Sequence, residues 1–342
     1  MSCPFFAQIF PVALLLNCAK IKPMDDFQNK IIEGDCIDIL GNAKKPFADL
    51  IFADPPFNIG YKYDKYDDKK EKEHYLDWTK KWMSACVSVL KPNGSFYIAI
   101  GDDYAANLKI IAEELGLFTR NWIIWHYTFG QQTKDKFARS HTHIFYFVKD
   151  KKKFTFNDWA IRTPSDRQLI YNDKRANSVG KNPDDVWNYS RVCGTFNERQ
   201  GWHPCQMPEL LLARIIAASS NEGDCVLDPF IGSGTTAAVA AKYGRNFFGT
   251  DISKTYVNNA IERIAKLNKR QKPAYNGFSP MEIDEVKRLF VEIQIDKIKL
   301  LETEKLLNIF TKQFAIRMNN GKEYNPQQIE LILKDFAWDK KK

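Results

Sequence analysis

"DCVLDPFIGSGTTAAVAAKYGRNFFGTDIS", residues 224–253, decides the fold. A short apolar run ends in Asp228, a Gly-Ser-Gly turn follows, then an alanine-rich stretch, then a second apolar run ending in Asp251. Strand, turn, helix and strand in that order form one unit of a parallel sheet. Glycines between a strand and a helix let the backbone pass close to a ligand, and the helix start offers unpaired N–H groups. The stretch has no Lys for a phosphate-cradling loop and is not G-x-G-x-x-G. On its own, Gly232-Ser233-Gly234 is equally a tight turn. Asp228 before it and Asp251 after it point further, because an acid at the end of the second strand typically holds a ribose. The ligand they suggest is nucleoside-like.

The same alternation extends on both sides. "KIIEGDCIDIL" (30–40) and "ADLIFADPP" (48–56) read as strands or strand ends, and "EKEHYLDWTKKWMSACVSVL" (71–90) as a helix stopping at Lys91-Pro92-Asn93-Gly94. "SFYIAIG" (95–101), "NWIIWHY" (121–127) and "HIFYFVKD" (143–150) are strands; "YAANLKIIAEELG" (104–116), "PELLLARIIAASS" (208–220) and "KTYVNNAIERIAKLN" (254–268) are helices. Near-continuous apolar strands alternating with helices indicate an α/β protein with a mostly parallel sheet. From about 150 to 200 the pattern gives way to a basic, polar, aromatic-interspersed stretch of the kind that forms functional loops on a scaffold. The expected organisation is an apolar extension (1–23), a domain in two halves (24–150 and 201–270) around an insertion (151–200), and a helical extension (271–342). Ser279-Pro280 with Glu282 marks a capped helix start in that extension, and another helix should follow Asn325-Pro326.

Composition narrows the function classes. The 342 residues carry a formal net charge of +8, which favours a polyanion partner such as nucleic acid. Seven cysteines, odd in number and without a C-x-x-C pair, argue against a disulfide framework and for a reducing compartment. His203-Pro-Cys205 and His141-Thr-His143 lack partner pairs at ligand spacing, so no metal is expected. "MSCPFFAQIFPVALLLNCAK" is broken by Gln8 and Pro11 and too short to span a bilayer, so it reads as a dispensable extension or an early alternative start. A cytoplasmic, nucleoid-associated protein without a membrane partner is expected.

A second site stands at "DLIFADPPFNIGY" (49–61). Each Pro fixes φ and removes an N–H, and Asp54 before a Pro is pushed toward an extended conformation. The strand exit therefore holds one carboxylate, its neighbouring carbonyls and the Phe57 ring in a set geometry.

Together, a strand ending Asp-Pro-Pro-aromatic and a later strand ending in an acid followed by F-x-G-x-G-T resemble the β class of DNA amino-methyltransferases, and by that resemblance the irregular basic segment between them (151–200) is the target-recognition region. "GWHPCQMPELL" (201–211) resembles the His-Pro-x-Gln-Lys-Pro element of these enzymes, and "EGDCIDIL" (33–40) their Gly-Asp-x-x-x-x-Leu element. The resemblance covers roughly residues 30–268. It departs at Met207, where Lys is usual, and at "SHTHIFYF" (140–147), where many relatives have His-Glu. It implies a Rossmann-like fold with a mostly parallel seven-stranded sheet, and transfer of a methyl group from S-adenosylmethionine to an exocyclic base nitrogen. By the same resemblance, Asp228, Pro229, Phe230, Gly232, Ser233 and Gly234 line the cofactor's methionine part, with Thr235 at the helix start. Asp251 binds its ribose, Asp35 and Cys36 meet its adenine, and His203 belongs to the cofactor site. Asp54, Pro55, Pro56 and Phe57 hold the target base, with Asp54 also near the cofactor. On residues alone, Asp35 remains readable as a turn residue and Asp251 as a helix cap.

The chemistry suits the tetrapeptide. An amino nitrogen conjugated to a base ring is a poor nucleophile. Asp54 accepting one N–H and the Pro55 carbonyl accepting the other draw it toward tetrahedral geometry, an electrostatic preorganisation that requires no metal or covalent step. A base inside a duplex must first be extruded at a cost of a few kcal/mol, and stacking on Phe57 returns about 1–3 kcal/mol. Backbone contacts from the central segment would supply the rest, with Lys151, Lys152, Lys153, Arg162, Arg167, Lys174, Arg175 and Arg191 as candidates. Double-stranded DNA is the expected partner, and a cognate restriction endonuclease and a homodimer are the further partners considered. An acid opening the tetrapeptide resembles adenine-N6 enzymes, although a carboxylate serves a cytosine-N4 amine equally well. A non-catalytic binding relative should have lost the acid or the Gly-x-Gly turn, and both are intact.

Overall fold

The computed structural model describes residues 27–131, 133–194, 196–269 and 277–336, so the apolar N-terminal stretch lies outside the described residues. Among the described residues, eight strands form one sheet: β1 (Lys30–Glu33), β2 (Ala48–Ala53), β3 (Leu90–Ile100), β4 (Phe118–Gln131), β5 (Arg139–Val148), β6 (Val186–Asn188), β7 (Cys225–Asp228) and β8 (Asn246–Asp251). Around it lie α1 (Cys36–Gly41), α2 (Lys72–Val89), α3 (Asp102–Glu114), α4 (Asp166–Leu169), α5 (Glu209–Ser219), α6 (Thr235–Lys242) and α7 (Lys254–Lys269). Four more helices follow: α8 (Pro280–Ile293), α9 (Lys297–Glu302), α10 (Glu304–Met318) and α11 (Pro326–Asp335).

The strand order is β1-β8-β7-β2-β3-β5-β4-β6, and only β5 runs against its neighbours. The carboxyl ends of the other strands therefore gather at one edge, where ligands of open α/β sheets bind. Register aligns the ends: Glu33 lies opposite Asp251, Asp228 opposite Gly249, and Ile51 opposite Leu227. Asp228 ends β7 beside the β2 exit that carries Asp54.

Alternation along each strand builds a core on both sheet faces. Leu50 and Phe52 belong to the face covered by α5 and α6, through residues such as Leu211, Ile215 and Val239. Ile51 and Ala53 belong to the opposite face, with Trp82, Met83 and Cys86 of α2 and Leu108 of α3. The strands are apolar throughout because both faces are covered.

Three expectations change. Residues 36–40 form a helix rather than a strand, because the Asp35 carboxylate accepts the Ile37 N–H at 2.8 Å and Cys36, Ile39 and Leu40 then share one buried side. Lys91–Gly94 is not a simple stop: β3 starts at Leu90 and bulges, its register shifting between Ala48–Leu90 and Leu50–Ser95. The sheet has eight strands rather than seven, because β6, from the irregular segment, pairs in parallel with the outer side of β4.

The C-terminal helices have a core of their own, including Phe278, Leu289, Phe310, Phe314 and Leu333. The capping box of Ser279 and Glu282 starts α8, and Asn325 caps α11, as the sequence indicates. A buried ion cluster joins them to the domain. Glu292 accepts from Arg214 of α5 (2.9 Å), Arg288 (3.3 Å), Arg317 and the Tyr189 hydroxyl (2.5 Å). Glu285 accepts from Arg288 (2.6 Å) and Arg317 (3.0 Å). Beyond the carboxylates, Arg288 donates to the Ala160 carbonyl (2.7 Å), and Arg317 to those of Arg162 (2.7 Å) and Ile161 (3.1 Å). Burial alone would raise the Glu292 pKa, but the three arginines overturn this and hold it well below the usual carboxylate range. Glu292→Gln strands buried guanidinium charge and should destabilise the fold by about 3–5 kcal/mol, read by urea unfolding. A change within 0.5 kcal/mol, about that of a neutral surface substitution, would refute the cluster's structural role.

Candidate active site

A cavity of about 260 Å³ opens at the carboxyl edge. Asp35, Cys36, Asp54, Pro56 and His203 line it, as do Asp228, Pro229, Phe230, Gly232, Ser233, Thr235 and Asp251. Gly234, Pro55 and Phe57 are placed around it rather than in its wall. Gly234, at φ +74°, starts α6 and packs so closely on α7 that a Cβ would lie 2.8 Å from Ala260 Cβ. Phe57 packs against the end of β3, where a Cβ on Gly101 would meet its ring at 3.3 Å.

Each acid is held by backbone geometry. Asp228 accepts the Phe230 N–H (3.0 Å) and the Thr236 hydroxyl (2.5 Å). Asp251 accepts the Gly232 N–H (3.0 Å) and the Ser253 N–H (2.8 Å), which ties the two glycine-turn strands together. The helix cap beside it is Ser253, whose hydroxyl accepts the Tyr256 N–H, so Asp251 is not that cap. Arg263 of α7 donates to the Ser233 carbonyl (2.8 Å) and the Thr235 hydroxyl (3.0 Å), and it pairs with Glu209 (2.6 Å).

Burial dominates the electrostatics. It pushes Asp54 up to about 7, the charge of Asp228 adds to the rise, and Arg191 opposes it. Burial likewise pushes Asp228 up to about 7 against its bonds to Thr236 and Phe230, while Asp251 adds repulsion. The His203 ring, pushed down to about 4 by burial, is neutral at pH 7. It fills the space where a Cβ on Gly232 would come within 2.7 Å of Nε2, and Gly232 sits at φ +44°. Gly232 is thus required both by conformation and by the close approach of a ring.

Sequence reasoning missed the roof of this cavity. Tyr63, Lys65, Tyr66 and Lys70 line it from the loop after Phe57, with Trp78 of α2 and Tyr256 of α7 beside them. The loop is folded around buried Asp68, whose carboxylate accepts the N–H groups of Asn58 (2.7 Å), Tyr61 (2.9 Å) and Ile59 (3.2 Å). Asn58 returns the tie through Lys70, accepting its N–H at 2.6 Å and donating to its carbonyl at 2.9 Å. Ser253 then donates to Asp64 at 2.6 Å, fastening the loop to the β8 end. Tyr75 donates to the Pro56 carbonyl at 2.7 Å, which engages that carbonyl and fixes the end of the tetrapeptide. The signal was the tyrosine- and acid-rich run 61–68 directly after the tetrapeptide.

The basic candidates separate. Only Arg191 is brought to the site, its guanidinium 5.2 Å from the Tyr127 ring and within electrostatic reach of Asp54. Lys151, Lys152 and Lys153 follow the end of antiparallel β5 and sit at the opposite edge of the sheet, a strand of about 33 Å away. Arg162 is bound by Asp158 and the Gly180 carbonyl, and Arg175 by Asp173. Arg167 and Lys174 are exposed near α4 and away from the cavity lining.

An open parallel sheet with acids at its carboxyl edge, a glycine turn at a helix start and a proline-stiffened carboxylate define a group-transfer enzyme with a nucleoside-type pocket. Residues 48–262 match the N6/N4 family model described as DNA methylase. The chain is 39% identical over 254 residues to the Type II methyltransferase M.HpaI of Haemophilus parainfluenzae, covering 74% of this chain and 77% of that one. It is 39% identical over 245 residues to the DNA adenine methyltransferase YhdJ of Escherichia coli K12, covering 68% and 82%. The solved PvuII DNA methyltransferase (cytosine-N4-specific) shares the fold, at 18% identity and a TM-score of 0.52 over 78% of this chain and 93% of that one. The chain belongs to the DNA methylase family of N6 and N4 amino-methyltransferases.

Two carboxyls titrating near 7 in the native state, against about 3.9 when unfolded, mean that the folded protein binds more protons across that window. Stability of the free protein should therefore fall as pH rises from 5 to 8. Asp54→Asn and Asp228→Asn should each flatten the fall, measured by urea unfolding across pH. Parallel curves for wild type and both variants would contradict the assignment. Gly234→Ala, forced into φ +74° against Ala260, should lose about 1–3 kcal/mol in the same assay.

Proposed function

We propose that this chain transfers the methyl group of S-adenosylmethionine to N6 of an adenine extruded from double-stranded DNA. The observation that carries the reading is the β2 exit, where Asp54, the Pro55 carbonyl and the Phe57 ring stand beside a cavity rimmed by further acids. The donor set fits the cofactor. Asp54 and Asp228, whose charges burial disfavours, suit a cationic ligand, and Asp251 suits ribose hydroxyls. When bound, S-adenosylmethionine supplies a methyl group made electrophilic by a positively charged sulfur.

The chain's own residues do the rest. Asp54 accepts one amino N–H and the Pro55 carbonyl the other, so the nitrogen lone pair leaves the ring plane and points toward the cofactor. The two prolines hold both acceptors without reorganisation. Tyr75, bonded to the Pro56 carbonyl, fixes the far end of the tetrapeptide. Phe57, backed by Gly101, offers its face to the base. Arg191 holds Asp54 toward its charged form. An opening Asp and the likeness to a protein named a DNA adenine methyltransferase support adenine over cytosine. The relative named a Type II methyltransferase supports a role in restriction–modification.

The test is expression in a host whose DNA lacks amino-methylation, followed by mass analysis of its nucleosides. N6-methyladenine should appear with the wild type, and Asp54→Ala should lower kcat by about 10²–10³-fold or more. N4-methylcytosine instead would overturn the base assignment, and no modified nucleoside would overturn the activity. The acid limb of kcat/KM for the cofactor should lie near 7, and that of kcat lower, because a bound cation stabilises the carboxylates. Limbs in the reverse order would contradict the role of Asp54 as the ionised acceptor.

A further inference from the structure

The connection between β4 and β5 crosses the same sheet edge as the cavity, and its tip carries Phe137 with the whole side chain in solvent (100% exposed). Isolated exposed apolar residues are ordinary, so the setting has to speak for this one. Lys134, Asp135, Lys136 and Ala138 around it are exposed as well, leaving the ring uncovered among the described residues. The tip is nevertheless built: the Thr133 hydroxyl donates to the Lys136 carbonyl at 2.5 Å. Its root is pinned, since Arg139 pairs with Asp102 at 3.0 Å and Asp103 at 3.6 Å in the first turn of α3.

That pin fixes where Phe137 stands. Asp102 directly follows Gly101, which backs the Phe57 ring, and Phe137 is two residues from Arg139, about 7 Å of extended chain. The exposed ring therefore stands at the same edge of the sheet as the cavity, on a turn whose root is tied to the start of α3. A base drawn into the cavity leaves an unstacked step in the duplex above the rim, and apolar side chains are able to enter such steps. Two lysines flank the ring within the same short turn, suitably placed for the neighbouring phosphates, with Asp135 partly offsetting them.

We propose that Phe137 enters the duplex at the step vacated by the extruded base, with Lys134 and Lys136 on the flanking phosphates. The inference rests on the reading of the chain as a methyltransferase of duplex DNA and adds the element that holds the duplex open. Once sequencing of host DNA has located the methylated site, wild type, Phe137→Ala and Phe137→Trp are compared on three oligonucleotides. These carry the site as a matched duplex, as a duplex mismatched opposite the target base, and as a single strand. Phe137→Ala should lower kcat/KM about tenfold or more on the matched duplex, the loss of one stacking contact. On the mismatched duplex and single strand, where little extrusion work remains, the loss should be under about threefold, and Phe137→Trp should restore the matched duplex. Equal losses on all three substrates, or none on the matched duplex, overturn the proposal. A wild type that methylates single strands but no duplex overturns the duplex reading itself, and the insertion with it.

Discussion

Asp54 and Asp228 stand at the ends of adjacent strands, where burial disfavours the charge of both and the charge of Asp228 adds to the cost of ionising Asp54. Much of the architecture around them manages this repulsion. Thr236 and the Phe230 N–H stabilise Asp228 from the α6 side, and Arg191 acts on Asp54 from the central segment. What the protein's own groups leave uncompensated, a positively charged ligand can supply. Affinity for such a ligand is thus stored as unfavourable electrostatics in the free protein, which explains why sheet register, helix starts and roof loop all converge on one edge.

The stiffness of the β2 exit has a structural counterpart on each side. Behind it, Gly101 has no side chain, so Phe57 can lie against the end of β3. Ahead of it, the chain turns through Asn58 and Gly60 in left-handed conformations, and the Asp68 carboxylate collects three backbone N–H groups that would otherwise need water. A roof built this way is anchored chiefly by hydrogen bonds to a single buried acid. It closes over the cavity through Asp64 and Ser253, a contact with the strand that carries Asp251.

How much of this could be read from residues alone follows from the range of the forces involved. The strand ends bearing Asp54, Asp228 and Asp251 were legible because local patterning sets strands, and a parallel sheet gathers their ends at one edge. Gly232 and Gly234 were legible for the same local reason. Asp68 was not, since its partners are defined by a loop fold that no periodicity announces. Arg263 escaped because it reaches the Ser233 carbonyl from a different helix. The basic residues misled most. Composition counts charges but does not say at which edge they emerge, and the antiparallel course of β5 carries Lys151–Lys153 to the far one. "CIDIL" misled through ambiguity, since five residues with four apolar side chains fit a strand as well as a capped helix.

The ion cluster of the C-terminal helices bears on how freely the central segment can vary in sequence. Arg288 and Arg317 grip the central segment at the carbonyls of Ala160, Ile161 and Arg162, atoms that every amino acid possesses. A clamp on main-chain oxygens is indifferent to the side chains it holds. The segment can therefore exchange surface residues while its attachment to the scaffold stays constant. Tolerance to substitution in that segment is in this sense written into the helical extension that holds it.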